Sequence, residues 1–264
     1  MALKLYVDRL SQPSRSILIF CKMNGIEHEE VQIKLAEFQH LSPAYQKINP
    51  MKQVPAIVEG DFQLFESHAI LKYLASVNRV ADHWYPADLR KRANIDSVLD
   101  WHHTNTRSGI VGYVFNSTLA PVFGLPLNPK AVAEGKKVLL ASLDKIESFW
   151  LQGNGSFLLG NTQPSIADLR IVCELMQLEA LDDKDRESII SPYKKVLAWI
   201  DATKKATQPH FDEVHTPLFN VKEKLKQQRA SPNLHRGFIF VVGLVLTPCI
   251  LGYVLFQMLS GHKK

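Results

Sequence analysis

Apolar and polar side chains alternate from Lys4 to Asp8, with Leu5 and Val7 on one side. The period then changes. After Ser11-Gln12-Pro13-Ser14 the apolar positions Ile17, Phe20, Cys21 and Met23 follow helical spacing and stop before Gly25, which predicts strand, loop and helix. A second alternating run, with Val31 and Ile33 on one side, predicts a strand at about 29–34. Leu41-Ser42-Pro43 has the form of a helix start, with Ser42 at the N-cap and Pro43 in the first turn. Val54 to Val58, the turn Glu59-Gly60-Asp61 and Phe62 to Phe65 predict a hairpin. Ser67 then opens a helix whose apolar stripe is Ile70, Leu71, Leu74 and Val77. The resulting β-α-β-α-β-β-α order over residues 1–79 is that of a thioredoxin-like domain.

Beyond a linker at 80–88 the strand patterns end, and 89–221 reads as an all-helical second domain. Leu139, Leu143, Ile146 and Trp150 repeat at helical spacing, as do Ile171, Leu175 and Leu178. The run from Gly124 to Pro129 breaks this pattern, and Ser165-Ile166-Ala167-Asp168 has the form of a capping box.

The tail differs again. Gly237 to Leu259 contains 23 residues without a charged side chain; as a helix it would span about 34 Å, enough to cross a bilayer. A basic juxtamembrane segment at 222–236 precedes it and a short basic tail at 260–264 follows, so the bias of Lys and Arg puts the folded domains on the cytosolic side. No N-terminal signal pattern is present, and the endoplasmic-reticulum and peroxisomal membranes are both compatible with such an anchor; without the tail the protein would be cytosolic. The net charge of +5 belongs to this end: residues 1–221 hold 24 basic and 25 acidic side chains, so no phosphate-binding groove and no nucleic-acid partner are expected. Three cysteines, Cys21, Cys173 and Cys249, lie far apart with no CxxC pair, which gives neither a disulfide framework nor a metal site.

Candidate chemistry is spread over the first domain: Ser11-Gln12-Pro13 at a strand-to-helix turn, His40, Gln53-Val54-Pro55, and Glu66-Ser67 at another helix start. Singly these have plain structural readings, since Ser is a preferred N-cap and Glu-Ser before a helix is ordinary capping. Further stretches keep the same company: Leu10-Ser11-Gln12-Pro13-Ser14-Arg15, Ile48-Asn49-Pro50, Gln53-Val54-Pro55-Ala56, Phe65-Glu66-Ser67-His68-Ala69-Ile70, His83-Trp84-Tyr85-Pro86, Trp101-His102-His103-Thr104 and Pro164-Ser165-Ile166-Ala167-Asp168-Leu169. In this order they resemble the glutathione transferases, and within them the theta class, particularly its plant members, over residues 2–228.

The resemblance implies that Ser11 donates a hydrogen bond to the glutathione sulfur and favours the thiolate; a free thiol, with pKa of about 8.5, is only slightly ionised at neutral pH. It further implies that the backbone of Val54, exposed by a cis Pro55, pairs with the cysteinyl residue. Glu66 would meet the γ-glutamyl ammonium and Ser67 the γ-glutamyl carboxylate. His40, Leu41 and Gln53 would face the glycyl end, with Gln12 also in the glutathione site; Gln53 stands where some members have Lys, which removes one positive charge. Leu10 and Arg107 are implied on the substrate side, although Arg107 also reads as a solvated helix-face cation. Cys21 reads as a core residue, and the adjacent His102 and His103, pointing about 100° apart, as surface or interface residues with no metal between them. Conjugation of reduced glutathione to hydrophobic electrophiles and reduction of organic hydroperoxides are the implied reactions, by a homodimer without a cofactor. A non-catalytic carrier of apolar ligands at a membrane is the alternative.

Overall fold

The computed structural model describes residues 2–119 and 128–230; the apolar run 237–259 and the break at 124–127 lie outside these. The first domain contains β1 (Leu3–Val7), α1 (Gln12–Met23), β2 (His28–Gln32), α2 (Pro43–Gln46), β3 (Ala56–Glu59), β4 (Phe62–Phe65) and α3 (Ser67–Val77). Its sheet has the order β2-β1-β3-β4, with β1 parallel to β2 and the remaining neighbours antiparallel. The alternation in β1 is realised directly, because Leu3, Leu5 and Val7 are buried while Lys4 and Tyr6 are partly exposed. Edge strand β2 ends at Gln32, two residues short of the expected strand. Ile33, whose N–H still donates to the Val7 carbonyl at 2.8 Å, packs with Leu35, Tyr45 and Val54 in a small second core. Glu29 and Glu30 remain exposed on this edge, where charge discourages pairing with another sheet.

Ser42 caps α2 by accepting from the Tyr45 N–H at 3.2 Å. In α3 the buried stripe is Ile70, Leu71 and Leu74; Val77 is 55% exposed, so the apolar face ends one turn before the sequence pattern does. The second domain is helical throughout its described part: α4 (Leu89–Thr104), α5 (Thr106–Ile110) continuing as a wider turn to Leu119, α6 (Pro129–Lys145) continuing to Trp150, α7 (Ile166–Leu175), α8 (Asp183–Ile190), α9 (Lys194–Ala206) and α10 (His210–Ala230). Helices α5 and α6 meet backbone to backbone. A Cβ on Gly135 would lie 2.5 Å from the Gly112 carbonyl carbon and the Tyr113 nitrogen, so no larger residue fits there. Among the described residues no helix is long and apolar enough to cross a membrane.

Two helices join the domains. Helix α1 packs on α3 in its own domain and on α7 and α10 in the other, which is why Ile17 to Cys21 are all fully buried in place of a single stripe. Each such side chain contributes on the order of 1.5–3 kcal/mol on burial. Every residue of α7 is buried too, and its start is the expected capping box: Ser165 Oγ accepts from Ala167 N–H, and Asp168 accepts from Ser165 N–H at 2.7 Å. Asp168 also accepts from Leu158 N–H and from Trp199 Nε1, both at 2.8 Å, tying three chain segments to one carboxylate.

Candidate active site

A cavity of about 230 Å³ opens where the domains meet. Pro13 of α1, the segment carrying Asn49, Gln53, Val54 and Pro55, and Glu66 and Ser67 at the start of α3 line it from the first domain; His103, Arg107 and Arg170 line it from the second. The Val54-Pro55 bond is cis. Gln53, just before it, is fixed by its carbonyl, which accepts from Tyr45 Oη at 2.6 Å and Asn49 Nδ2 at 2.8 Å. The backbone edge of Val54 is thus held at the cavity wall by side chains packed behind it.

Glu66 precedes α3 with φ 71°, a conformation that L residues adopt at a cost of about 1–3 kcal/mol. Its side chain makes no capping bond, so the first N–H groups of α3 are left for an outside acceptor. Ser67 Oγ accepts from Nε of Arg170 at 3.2 Å. Behind it stands a dense polar cluster: Nη1 of Arg170 lies 2.8 Å and Nη1 of Arg107 3.2 Å from Oε2 of Glu174, and Nε2 of His102 is 3.4 Å from the same oxygen. Burial pushes the Glu174 carboxyl up, but Arg107 and Arg170 outweigh it and hold the group well below the usual carboxylate range. Burial, reinforced by Arg170, pushes His102 down to about 3 in spite of Glu174, so its ring is neutral at physiological pH. His68, its ring tilted against His102 at 5.3 Å and His103 at 4.2 Å between centroids, is driven down by burial first and then by Arg170.

At the other end of α1 from Gly25, Ser11 holds the N-cap position with extended backbone, yet its hydroxyl caps nothing. Oγ is fully buried without a hydrogen-bond partner. Buried hydroxyls are rarely left so, and this one lies at a helix N-terminus, where an anion is favoured.

The family described as "Glutathione S-transferase, N-terminal domain" matches residues 1–76, and "Glutathione S-transferase, C-terminal domain" matches 129–202. Glutathione S-transferase T1 of Arabidopsis thaliana is 61% identical over 89% of this chain and 97% of its own length. Human glutathione S-transferase theta-1 is 37% identical over 84% of this chain and 91% of its own. The chain belongs to the theta class of the glutathione S-transferases. A solved human theta-class enzyme, in complex with the glutathione conjugate of 1-menaphthyl sulfate, superposes with a TM-score of 0.77 at 31% identity, covering 87% of this chain and 92% of that one. The thioredoxin-like and helical domains are therefore those of a glutathione transferase, an enzyme that takes glutathione as co-substrate and needs no further cofactor.

In this transferase the residues expected from sequence divide into two groups. Gln53, Val54, Pro55, Glu66, Ser67 and Arg107 line the one cavity. Ser11, Gln12, His40, Leu41 and Leu10 do not. Ser11 and Gln12 are buried behind Pro13, with Nε2 of Gln12 also unpartnered; His40 is buried, with Nδ1 unpartnered, on a short turn beside the 42%-exposed Leu41. Leu10 is half-buried and gives its carbonyl to Nη1 of Arg15 at 2.9 Å. Arg107 is not a solvated cation: its side chain is 12% exposed and ion-paired to Glu174. Nor is His102 a surface group, since it is fully buried between the domains, while His103 reaches the cavity. Among the described residues no group of His, Cys, Asp and Glu is placed to hold a metal ion. Cys21 is a core residue as its position on the apolar stripe predicts, and burial pushes its thiol up to about 12.

Arg170, Glu174 and His68 carry the cavity's electrostatics and were not among the expected site residues. A signal for the first two exists. Beyond the capping Asp168, Arg170 and Glu174 are the charged residues, spaced i, i+4, in the run Ile166–Leu175, and charge in such a place needs a partner.

Proposed function

We propose that this transferase conjugates reduced glutathione to hydrophobic electrophiles and also reduces organic hydroperoxides at the expense of glutathione, with Ser11 as the donor that stabilises the thiolate. The observation that carries the reading is the buried, unpartnered Oγ of Ser11 at the N-terminus of α1. A thiolate beside it would accept the hydroxyl proton's hydrogen bond and meet the positive end of the helix, so the sulfur is ionised without a base. In conjugation the thiolate attacks the electrophilic carbon and the leaving group departs with its electron pair. In peroxide reduction it attacks the O–O bond, releasing an alcohol and glutathione sulfenic acid; a second glutathione converts the sulfenic acid to disulfide and water. Cys-based disulfide exchange is disfavoured because Ser11 stands at the helix start and Cys21 is inert in the core.

The rest of the tripeptide is laid along the cavity wall in this proposal. Val54 gives its backbone to the cysteinyl residue, Glu66 its carboxylate to the ammonium and Ser67 its hydroxyl to the γ-glutamyl carboxylate, with His40, Leu41 and Gln53 at the glycyl end and Gln12 nearby. Leu10 and Arg107 border the electrophile, and two copies form the functional dimer. Support comes from the human theta enzyme seen with a glutathione conjugate. The test is turnover of cumene hydroperoxide and of a benzyl halide by wild type and Ser11→Ala. Loss of one hydrogen bond to a charged group cuts kcat by about 10- to 150-fold. Unchanged kcat in a folded Ser11→Ala protein removes Ser11 from the mechanism.

The uncharged run 237–259 supports a further part of the reading, a C-terminal anchor that holds the enzyme at a membrane with both domains in the cytosol. Alkaline carbonate extraction of membranes should leave the full chain in the pellet and release a version ending at Pro232. Full-length protein in the wash would end the anchor proposal.

A further inference from the structure

We propose that Arg170, reaching across from the helical domain, is a positioning residue for the γ-glutamyl carboxylate of glutathione, and that Glu174 holds it in place. This rests on the glutathione reading above and names what that reading lacks, a cation at the anionic end of the ligand.

The argument begins with Ser67. Its oxygen already accepts the Nε–H of Arg170 at 3.2 Å, so the hydroxyl proton is left to donate elsewhere. The open side is the cavity, which both residues line, and the free N–H groups at the start of the 11-residue helix α3 face an acceptor at the same place. Hydroxyl, helix N-terminus and guanidinium converge on one spot, which is the donor set that a carboxylate satisfies.

The second step concerns charge. Arg170 is 1% exposed, and a cation so deep is stable only when paired. Glu174 is its partner at 2.8 Å, but that single carboxylate is shared with Arg107 at 3.2 Å. The flanking rings of His68, His102 and His103 are held toward the neutral form, and Glu66 is an exposed carboxylate at the rim that the ligand's ammonium would take. The buried guanidinium of Arg170 stands beside Ser67 at the cavity wall, where the ligand's carboxylate would meet it. Glu174 thereby acts through Arg170: it sets the guanidinium plane so that Nε, and not a terminal nitrogen, points at Ser67. The anionic end of the tripeptide is then read by both domains at once.

The experiment compares glutathione with 4-aminobutyryl-cysteinyl-glycine, the same tripeptide without that carboxylate, in wild type and in Arg170→Met, full chain, with a benzyl halide as electrophile. Wild type should prefer glutathione in KM. Arg170→Met should raise the glutathione KM by about tenfold or more while kcat stays within about twofold and the KM of the shortened peptide does not move. Arg107 still pairs with Glu174 in this variant; should Arg170→Met nevertheless not fold, Arg170→Lys, which keeps the charge without the Nε donor, carries the same comparison with a smaller rise. A KM increase of equal size for both peptides would make Arg170 a structural residue only and overturn the proposal. Equal KM values for the two peptides in wild type would overturn it as well, because no carboxylate would then be read. A wild type that turns over neither peptide would instead overturn the glutathione reading on which the proposal stands.

Discussion

The surroundings of Ser11 and of Ser67 are built on opposite plans. At the N-terminus of α1, Ser11 Oγ and Gln12 Nε2 are buried without a hydrogen-bond partner, while the charged neighbours Asp8 and Arg15 are turned to backbone N–H and carbonyl groups. Around Ser67 the polar groups are charged and crowded, with Arg170, Arg107 and His102 on one Glu174 carboxylate. A fixed full charge near the sulfur would bind the thiolate strongly, but it would hold on equally to the charge that must leave in the reaction. Weak, oriented dipoles lower the thiol pKa without that drag. Charges that never react, at the far end of the ligand, can be gripped hard. On the proposed reading, binding and chemistry are separated because they need different electrostatics.

Removing the hub of the charged cluster should have the largest effect. Glu174→Gln leaves two buried guanidinium groups facing a neutral amide, and unfolding free energy should drop by about 3–5 kcal/mol, read by urea denaturation. A drop below about 1 kcal/mol would mean that water already solvates the cluster.

Acid should break the same cluster next. The unfolded value for His102 is 6.5 and its folded value is about 3, so folding excludes a proton that the unfolded chain takes up between these limits. Its contribution is therefore complete above pH 6.5 and is lost progressively as pH falls toward 3; Glu174, held low by its arginines, is lost in the same direction but further down. Denaturation midpoints measured from pH 7 to pH 4 should fall for wild type and fall less steeply for His102→Gln, since His68 and His103 are lowered as well. A parallel slope in both proteins would place the titrating group elsewhere.

The mark of Ser11 is a shift rather than a collapse. In the pH profile of kcat the rising limb reports the thiol of bound glutathione, and Ser11→Ala should move its midpoint upward by about 1–2 units, toward the value of a free thiol. Arg170→Met should leave that midpoint where it is. The smallest effect belongs to Glu66→Gln: the carboxylate is exposed, so the glutathione KM should rise only about three- to tenfold with kcat unchanged. A larger loss in kcat than in KM would mean that Glu66 touches the reacting end.

What periodicity revealed was local. The alternation of Leu3, Leu5 and Val7, the helix starts at Ser42 and Ser67, and the capping box at Ser165 to Asp168 each depend on contacts within a few residues, and each forms as the pattern predicts. Errors came where tertiary contacts take over. Val77 continues the spacing of α3 but is left 55% exposed, and β2 ends at Gln32, with Ile33 still bonded to Val7 but packed into a second small core. The site divided in the same way. Gln53, Val54, Pro55, Glu66 and Ser67 were legible as motifs, whereas Arg170 bonds to Ser67 across 103 positions of sequence, a distance over which no spacing rule operates. Adjacent histidines on a mostly polar helix left surface and interface both open, and His102 takes the interface, fully buried with the ring of His68 from the first domain 5.3 Å away.

Helix α1 carries a consequence for how the protein can be taken apart. Its apolar residues face both domains, and the guanidinium of Arg15, fully buried, donates to the carbonyl of Cys173 at 3.1 Å on the far side of the boundary. A fragment ending at residue 79 would therefore present Ile17, Ile19 or their neighbours to water together with an arginine whose Nη2 has lost its acceptors on Cys173 and Gln177. Such a piece would be sticky rather than soluble. Recombination between relatives should consequently tolerate exchange of whole chains or surface loops, and reject a simple swap of one half for another unless the partner of α1 travels with it.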